Sequence, residues 1–240
     1  MKKITHIAAY QFLPLTNLLT LKASLLARCH ALGLKGTILL SQEGINLSLA
    51  GHAPVVADFQ AFLASDPRFA SLVYRESYSD SPPFNAMKVK IKKEIITLDQ
   101  PSVDAVKERA PAISPRELKQ WLDDGRDITL LDTRNDYEVA YGTFIGAIHL
   151  RIAHFSHLPR ALTALDRCQP LVMFCTGGIR CEKAAIYLLN HGFKEVYQLD
   201  GGILNYFATV GKAHYQGDCF VFDERIAISV NHCGLDDNHV

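Results

Sequence analysis

The chain has 240 residues, 48% of them hydrophobic and 21% charged, the balance of a soluble globular protein with room for one large domain or two small ones. Twenty-five basic residues meet twenty-five acidic ones, which argues against a polyanion binder basic over its whole surface but leaves room for a local basic patch. No apolar run approaches the ~20 residues of a membrane helix. Behind Lys2 and Lys3 the apolar stretch is short, interrupted by His6, Gln11 and Pro14, and no small-residue cleavage site follows, so no secretory signal is expected. The expected location is the cytoplasm, with the six scattered cysteines (Cys29, Cys168, Cys175, Cys181, Cys219, Cys233) as reduced thiols.

Ile4 to Phe12 reads as a strand. Leu15 to Leu32 reads as an amphipathic helix carrying Leu18, Leu21, Leu25, Cys29 and Leu32 at helical spacing, stopped by Gly33. Two short strands, Gly36 to Leu40 and Ile45 to Ala50, flank a hairpin turn at Ser41-Gln42-Glu43-Gly44. Pro54 opens a second helix with Val55, Phe59, Phe62 and Leu63 on its apolar face. Val73 to Tyr78 and Met87 to Leu98 complete the region as strands. The order βαββαβ plus one strand predicts a ferredoxin-like α+β domain over residues 1–98. Residues 99–112, with Pro101, Pro111 and a charged middle, read as a linker.

A second domain is expected over 113–212, followed by a C-terminal extension, 213–240. Ser114, Pro115 and Glu117 form a helix-start signature. Ile128 to Asp132, Gly146 to Leu150, Leu158 to Leu165, Leu171 to Cys175, Arg180 to His191, Val196 to Leu199 and Gly202 to Val210 then alternate between strand and helix. That alternation predicts an α/β fold, a parallel sheet covered by helices on both faces.

The sharpest chemical signal is Cys175-Thr176-Gly177-Gly178-Ile179-Arg180 after the apolar run Leu171–Phe174. Cys175 falls at the carboxyl end of a parallel strand, where open α/β sheets bind ligands. Two glycines let the backbone curl its N–H groups inward, a helix N-terminus adds partial positive charge, and Arg180 adds a full one. Such a cradle lowers a thiol pKa of about 8.5 by a unit or more and would equally hold a persulfide anion. The plain alternative is a buried cysteine at an ordinary strand-to-helix turn. A cysteine-phosphatase loop sets its arginine one residue further on, where this chain has Cys181. The smaller ring suits one sulfur better than a phosphate.

Leu131-Asp132-Thr133-Arg134, Tyr137-Glu138, Gly142 and Gly146-Ala147-Ile148, the Cys175–Arg180 loop, and the closing Gly192-Phe193, Val196-Tyr197, Leu199 and Gly201-Gly202 together resemble a rhodanese domain. With Leu40 to Asn46, Lys88 to Leu98, Cys181-Glu182 and Phe220-Val221-Phe222-Asp223-Glu224-Arg225, the chain is similar over nearly its whole length to the rhodanese-type tRNA uridine hydroxylases. The resemblance implies an acylphosphatase-like N-terminal domain and oxygen-dependent synthesis of 5-hydroxyuridine at the tRNA wobble position, with Cys175 as nucleophile, molecular oxygen as co-substrate and tRNA as partner.

Around the loop, Cys181 reads either as a thiol that resolves an oxidised Cys175 or as a small residue packed at a helix start. Asp132 reads as a structural buried polar residue, while Arg134 reads equally as structural or as part of the active-site mouth. In Met87 to Lys93, Val89 and Ile91 face a core and Lys88, Lys90 and Lys92 form a basic stripe. The stripe is either a track for tRNA phosphates or a solvated edge guarded by lysines. Some relatives continue into a cysteine-rich tail, but Cys219 and Cys233 with scattered histidines make no metal site here, and neither GxGxxG nor a two-His-one-carboxylate set signals a bound cofactor. Two other functions stand beside the hydroxylase: a sulfurtransferase working through a Cys175 persulfide, and a non-catalytic binding module. The intact Cys, Gly-Gly and Arg disfavour the module. The added N-terminal domain favours a large substrate.

Overall fold

The computed structural model describes residues 3–162 and 165–230, and the chain divides into two compact units. The first comprises Met1–Ile96 together with Asp223–Arg225. Its elements are β1 (Ile4–Phe12), α1 (Leu18–Ala31), β2 (Lys35–Ser41), β3 (Gly44–His52), α2 (Ala53–Ala64), β4 (Arg75–Ser79) and β5 (Met87–Ile91). The sheet order is β4-β1-β3-β2-β5, antiparallel except for β2 and β5. This is the ferredoxin-like arrangement with β5 added as an edge. One sheet face supplies Ile7, Ile38, Leu40, Leu47, Leu49 and Val89 to a core closed by Leu25 and Cys29 of α1 and Phe59 and Leu63 of α2.

The last strand is shorter than its alternation suggests. It ends at Ile91, although the Lys92 N–H still donates to Leu40 O at 2.8 Å. Val89 is buried as expected, but Ile91 is 37% exposed. β5 is an edge strand, and alternation reports a face without saying that anything covers it.

Asp223 and Arg225 complete a polar cluster in this unit. Arg225 donates from Nε to Asp223 Oδ1 at 2.8 Å and from Nη1 to Ser77 Oγ at 2.9 Å. His6 sits within hydrogen-bond distance of Ser77 Oγ (3.1 Å) and Ser48 Oγ (2.9 Å), and its Nε2 is 3.7 Å from Asp223. Burial and then the Arg225 charge push the His6 pKa down to about 4, against the opposing pull of Asp223. The imidazole is therefore neutral at neutral pH. An unfolded chain takes up that proton near pH 6.5, before the folded one does, so acidification from about 6.5 to about 4 removes stability through this group. A His6→Gln variant should consequently lose less stability than wild type over that interval, as read from unfolding midpoints at stepped pH. Parallel acid profiles would show that His6 carries no linkage.

The second unit comprises Thr97–Phe222 and Ile226–Val240. Its elements are β6 (Ala112–Ile113), α3 (Pro115–Asp123), β7 (Thr129–Asp132), α4 (Asp136–Val139), β8 (Gly142–Phe144), β9 (Ile148–His149), α5 (Leu158–Ala161), β10 (Leu171–Phe174), α6 (Ile179–Asn190), β11 (Val196–Leu199), α7 (Gly202–Val210), β12 (Tyr215–Gly217), β13 (Cys219–Phe220) and β14 (Ala227–Ile228). The main sheet runs β6-β11-β10-β7-β9, every pairing parallel. Ser114 caps α3 by accepting the Glu117 N–H at 3.2 Å, as its sequence signature requires. Leu118 of α3 and Ile203 and Phe207 of α7 pack with Leu130, Val172, Phe174 and Leu199 of the sheet, while α6 lies against β10 and β11.

The stretch expected as a linker carries buried Ala105 and Ala110, and β12 in the expected C-terminal extension pairs with β8. The helix expected over Leu158 to Leu165 ends at Ala161; positions 163 and 164 of that expectation lie outside the described residues.

Candidate active site

Cys175 follows β10 directly and is 1% exposed. The Gly178 N–H donates to its Sγ at 3.1 Å, and the Arg180 N–H also bonds the sulfur. Gly178 starts α6 with φ +98°, in the left-handed region that favours glycine. Gly177 has no such φ, and open space surrounds the position its Cβ would take. The curl expected of two glycines therefore belongs to Gly178.

The other side of the loop is held by α7. Ile203 N–H donates to Cys175 O at 3.0 Å and Leu204 N–H to Thr176 O at 3.1 Å. With these carbonyls engaged by the first turn of α7, the later loop amides are left to the sulfur. Gly202 makes the approach possible: its φ is +65°, and a Cβ there would stand 2.4 Å from Cys175 O and 2.7 Å from Thr176 O.

Arg180 is 4% exposed and forms a two-pronged pair with the fully buried Glu138, Nη1 to Oε2 and Nη2 to Oε1, both at 2.6 Å. The Asn135 N–H donates to the same Oε2 at 3.1 Å. The full positive charge expected beside the thiol is thus partly balanced by a carboxylate 42 positions away in sequence. In the sequence Glu138 stands as part of the Tyr137-Glu138 motif, without this role assigned; the available signal is the helix-start pattern Asn135…Glu138.

Burial alone would raise the Cys175 pKa. The neighbouring Cys181 thiol, the Arg180 charge and the Arg180 and Gly178 amides outweigh it and pull the pKa down to about 6. Burial, with the adjacent Cys175, holds Cys181 well above the ordinary thiol value. Cys175 is thus the anion at neutral pH and Cys181 the S–H beside it, with Thr133 Oγ1 3.7 Å from Cys181 Sγ. By contrast, burial pushes Cys29 up to about 12.

The structure gathers Cys175, Thr176, Gly177, Gly178, Ile179, Arg180 and Cys181 into one site. It keeps Arg134 out of the mouth: Arg134 is fully buried, donating to Asp132 from Nε at 2.9 Å and from Nη2 at 2.6 Å, and to Gly142 O at 2.6 Å. Thr143 Oγ1 adds a bond to Asp132 at 2.7 Å. Asp132 and Arg134 therefore tie the end of β7 to β8. Lys88, Lys90 and Lys92 are exposed in the first unit. Cys219 is buried, Cys233 lies outside the described residues, and no group of three metal-ligating side chains occurs among the described residues. No described helix is long and apolar enough to cross a membrane.

A backbone ring that holds one anionic sulfur at the end of a parallel strand defines a rhodanese-type centre, here in a chain with a ferredoxin-like first unit. Comparison with known families agrees: residues 4–95 match the UPF0176 acylphosphatase like domain and residues 114–209 the rhodanese-like domain. Proteins named tRNA uridine(34) hydroxylase are similar over nearly the whole chain. That of Cupriavidus taiwanensis is 50% identical, covering 95% of this chain and 83% of its own; that of Bordetella petrii is 49% identical, covering 95% and 94%. That of Variovorax paradoxus is 51% identical, covering 95% and 90%. The chain belongs to the tRNA uridine(34) hydroxylase family.

Ultraviolet absorbance of the thiolate should show one group titrating near pH 6 in wild type, absent from Cys175→Ser. Gly202→Ala forces a Cβ against the loop carbonyls, so it should move that midpoint upward by about a unit or more as the amides lose their aim. An unshifted midpoint in a folded Gly202→Ala protein would show that the loop does not depend on this contact.

Proposed function

We propose that the protein hydroxylates uridine 34 of tRNA to 5-hydroxyuridine, with dioxygen as co-substrate and Cys175 as the reacting group. The observation that carries this is the 50% identity over 95% of the chain with a tRNA uridine(34) hydroxylase. The cradled anionic sulfur supports it as the chemistry that such a site offers. In this reading the loop from Thr176 to Arg180 holds the sulfur as an anion, Cys181 donates its S–H to it, and the Glu138–Arg180 and Asp132–Arg134 pairs fix the surrounding backbone. The reading adds no resident cofactor and places the protein in the cytoplasm with its tRNA.

Nucleoside mass spectrometry of tRNA tests the assignment. Cells carrying Cys175→Ser should lack the 5-hydroxyuridine that wild type restores to a deletion strain. Wild-type amounts in the mutant would overturn the role of Cys175. Rapid turnover of thiosulfate by a wild type that makes no 5-hydroxyuridine would instead establish the sulfurtransferase, whose persulfide anion the same ring would hold.

Lys88, Lys90 and Lys92 are proposed to meet tRNA phosphates. Each lost contact removes nearly one unit of slope from a plot of log affinity against log salt. The triple change to Gln should weaken tRNA binding and flatten that slope. Binding and slope like those of wild type would leave the stripe as a solvated edge.

A further inference from the structure

Four aromatic side chains gather beside the Cys175 loop: Tyr137 and Tyr141, with Phe220 and Phe222 of the segment after β12. Phe220 is the hub, its ring centroid 5.3 Å from Tyr137, 5.6 Å from Tyr141 and 5.2 Å from Phe222. The outer three stand in solvent: Tyr137 is 47% exposed, Tyr141 44% and Phe222 59%. The cluster is attached to the loop at two points. Thr176 Oγ1 donates to Phe220 O at 3.4 Å, and the Arg180 guanidinium carbon lies 5.8 Å from the Phe222 ring centroid. Tyr137 is also adjacent in sequence to Glu138, which holds Arg180, and its OH accepts from Asn135 Nδ2 at 3.2 Å.

We propose that Phe222 and Tyr137 form a stacking platform for the unpaired bases of the tRNA anticodon loop, Phe222 receiving the base that approaches Cys175. The proposal rests on the functional reading above. Large apolar side chains left together in water mark a binding surface. Tyr137 and Phe222 are about half exposed, and Phe222 lies beside the guanidinium of the active-site loop rather than elsewhere on the unit. Single-stranded RNA loops are held by bases splayed onto aromatic rings and guanidinium planes. The reacting group is itself a nucleobase that must leave its neighbours to reach a recessed sulfur, and a stack on an adjacent ring compensates for the one it leaves. Phe222 is here a substrate-positioning residue. It takes no part in bond changes.

The test compares wild type with Phe222→Ala, Phe222→Leu, Phe222→Trp and Tyr137→Ala, using an unmodified tRNA transcript for both hydroxylation and filter binding. Loss of one stacked base is worth on the order of a tenfold or larger rise in Kd. Phe222→Ala and Tyr137→Ala should each raise Kd and KM by about that factor and change kcat far less, with the unfolding midpoint in place. Phe222→Leu keeps apolar bulk without a ring and should resemble Phe222→Ala, whereas Phe222→Trp should recover wild-type affinity. Wild-type binding by Phe222→Ala, or by Phe222→Leu, overturns the platform; in the second case the contact is apolar without stacking. A wild type that makes no 5-hydroxyuridine fails the functional reading itself, which separates that failure from failure of the platform.

Discussion

Two hydrogen bonds from the first turn of α7, Ile203 N–H to Cys175 O and Leu204 N–H to Thr176 O, fix the direction of the backbone on which the site depends. The first amides of any helix lack partners within it. Here they take the carbonyls at the start of the loop, and the amides of Gly178 and Arg180 are left for the sulfur. A tight ring needs carbonyls and amides sorted to opposite sides. The approach that sorts them tolerates no side chain at Gly202, where a Cβ would meet the Cys175 oxygen.

Charge plays a second part in the site. Arg180 lowers the Cys175 pKa, but its guanidinium is committed to Glu138 through both outer nitrogens. Removing either partner would leave an uncompensated buried charge, which costs about 3–5 kcal/mol. The pair therefore fixes where positive charge can lie, and the amides and the Cys181 thiol supply the rest of the stabilisation of the anion. Asp132 and Arg134 apply the same device one strand away, joining β7 to β8 with no exposure to solvent.

Features carried by neighbours in sequence were legible before the structure. The strand Ile4–Phe12, the Ser114 cap, the position of Cys175 at a strand end and the start of α6 all follow from local periodicity and local hydrogen bonding. Features carried by distant partners were not. Nothing near Arg180 announces Glu138, and nothing near Gly202 announces the carbonyls it touches. Arg134 looked like an equal candidate for the mouth because its type and its place after a strand suit both roles; only the direction of its side chain, back onto Asp132, decides. Ile91 shows the converse error, an apolar residue at the right phase on the edge strand of its sheet. Tyr137 and Phe222 each stand in a short sequence motif, but the gathering of their rings around Phe220 joins positions far apart in the chain.

The cluster of His6, Ser48 and Ser77 with Asp223 and Arg225 makes the first unit discontinuous in the chain. During synthesis, β1 through β5 can pair while the ribosome is still adding the second unit, since every strand of that sheet lies before Lys92. The buried imidazole and the Ser77 hydroxyl must wait for Arg225 and Asp223, well over a hundred residues later. Until then those groups keep their water. The unit made first is thus completed by residues that follow the second unit's main sheet in the chain, and a nascent chain stalled before Arg225 would hold a paired sheet with hydrated polar groups where the folded protein has a closed cluster.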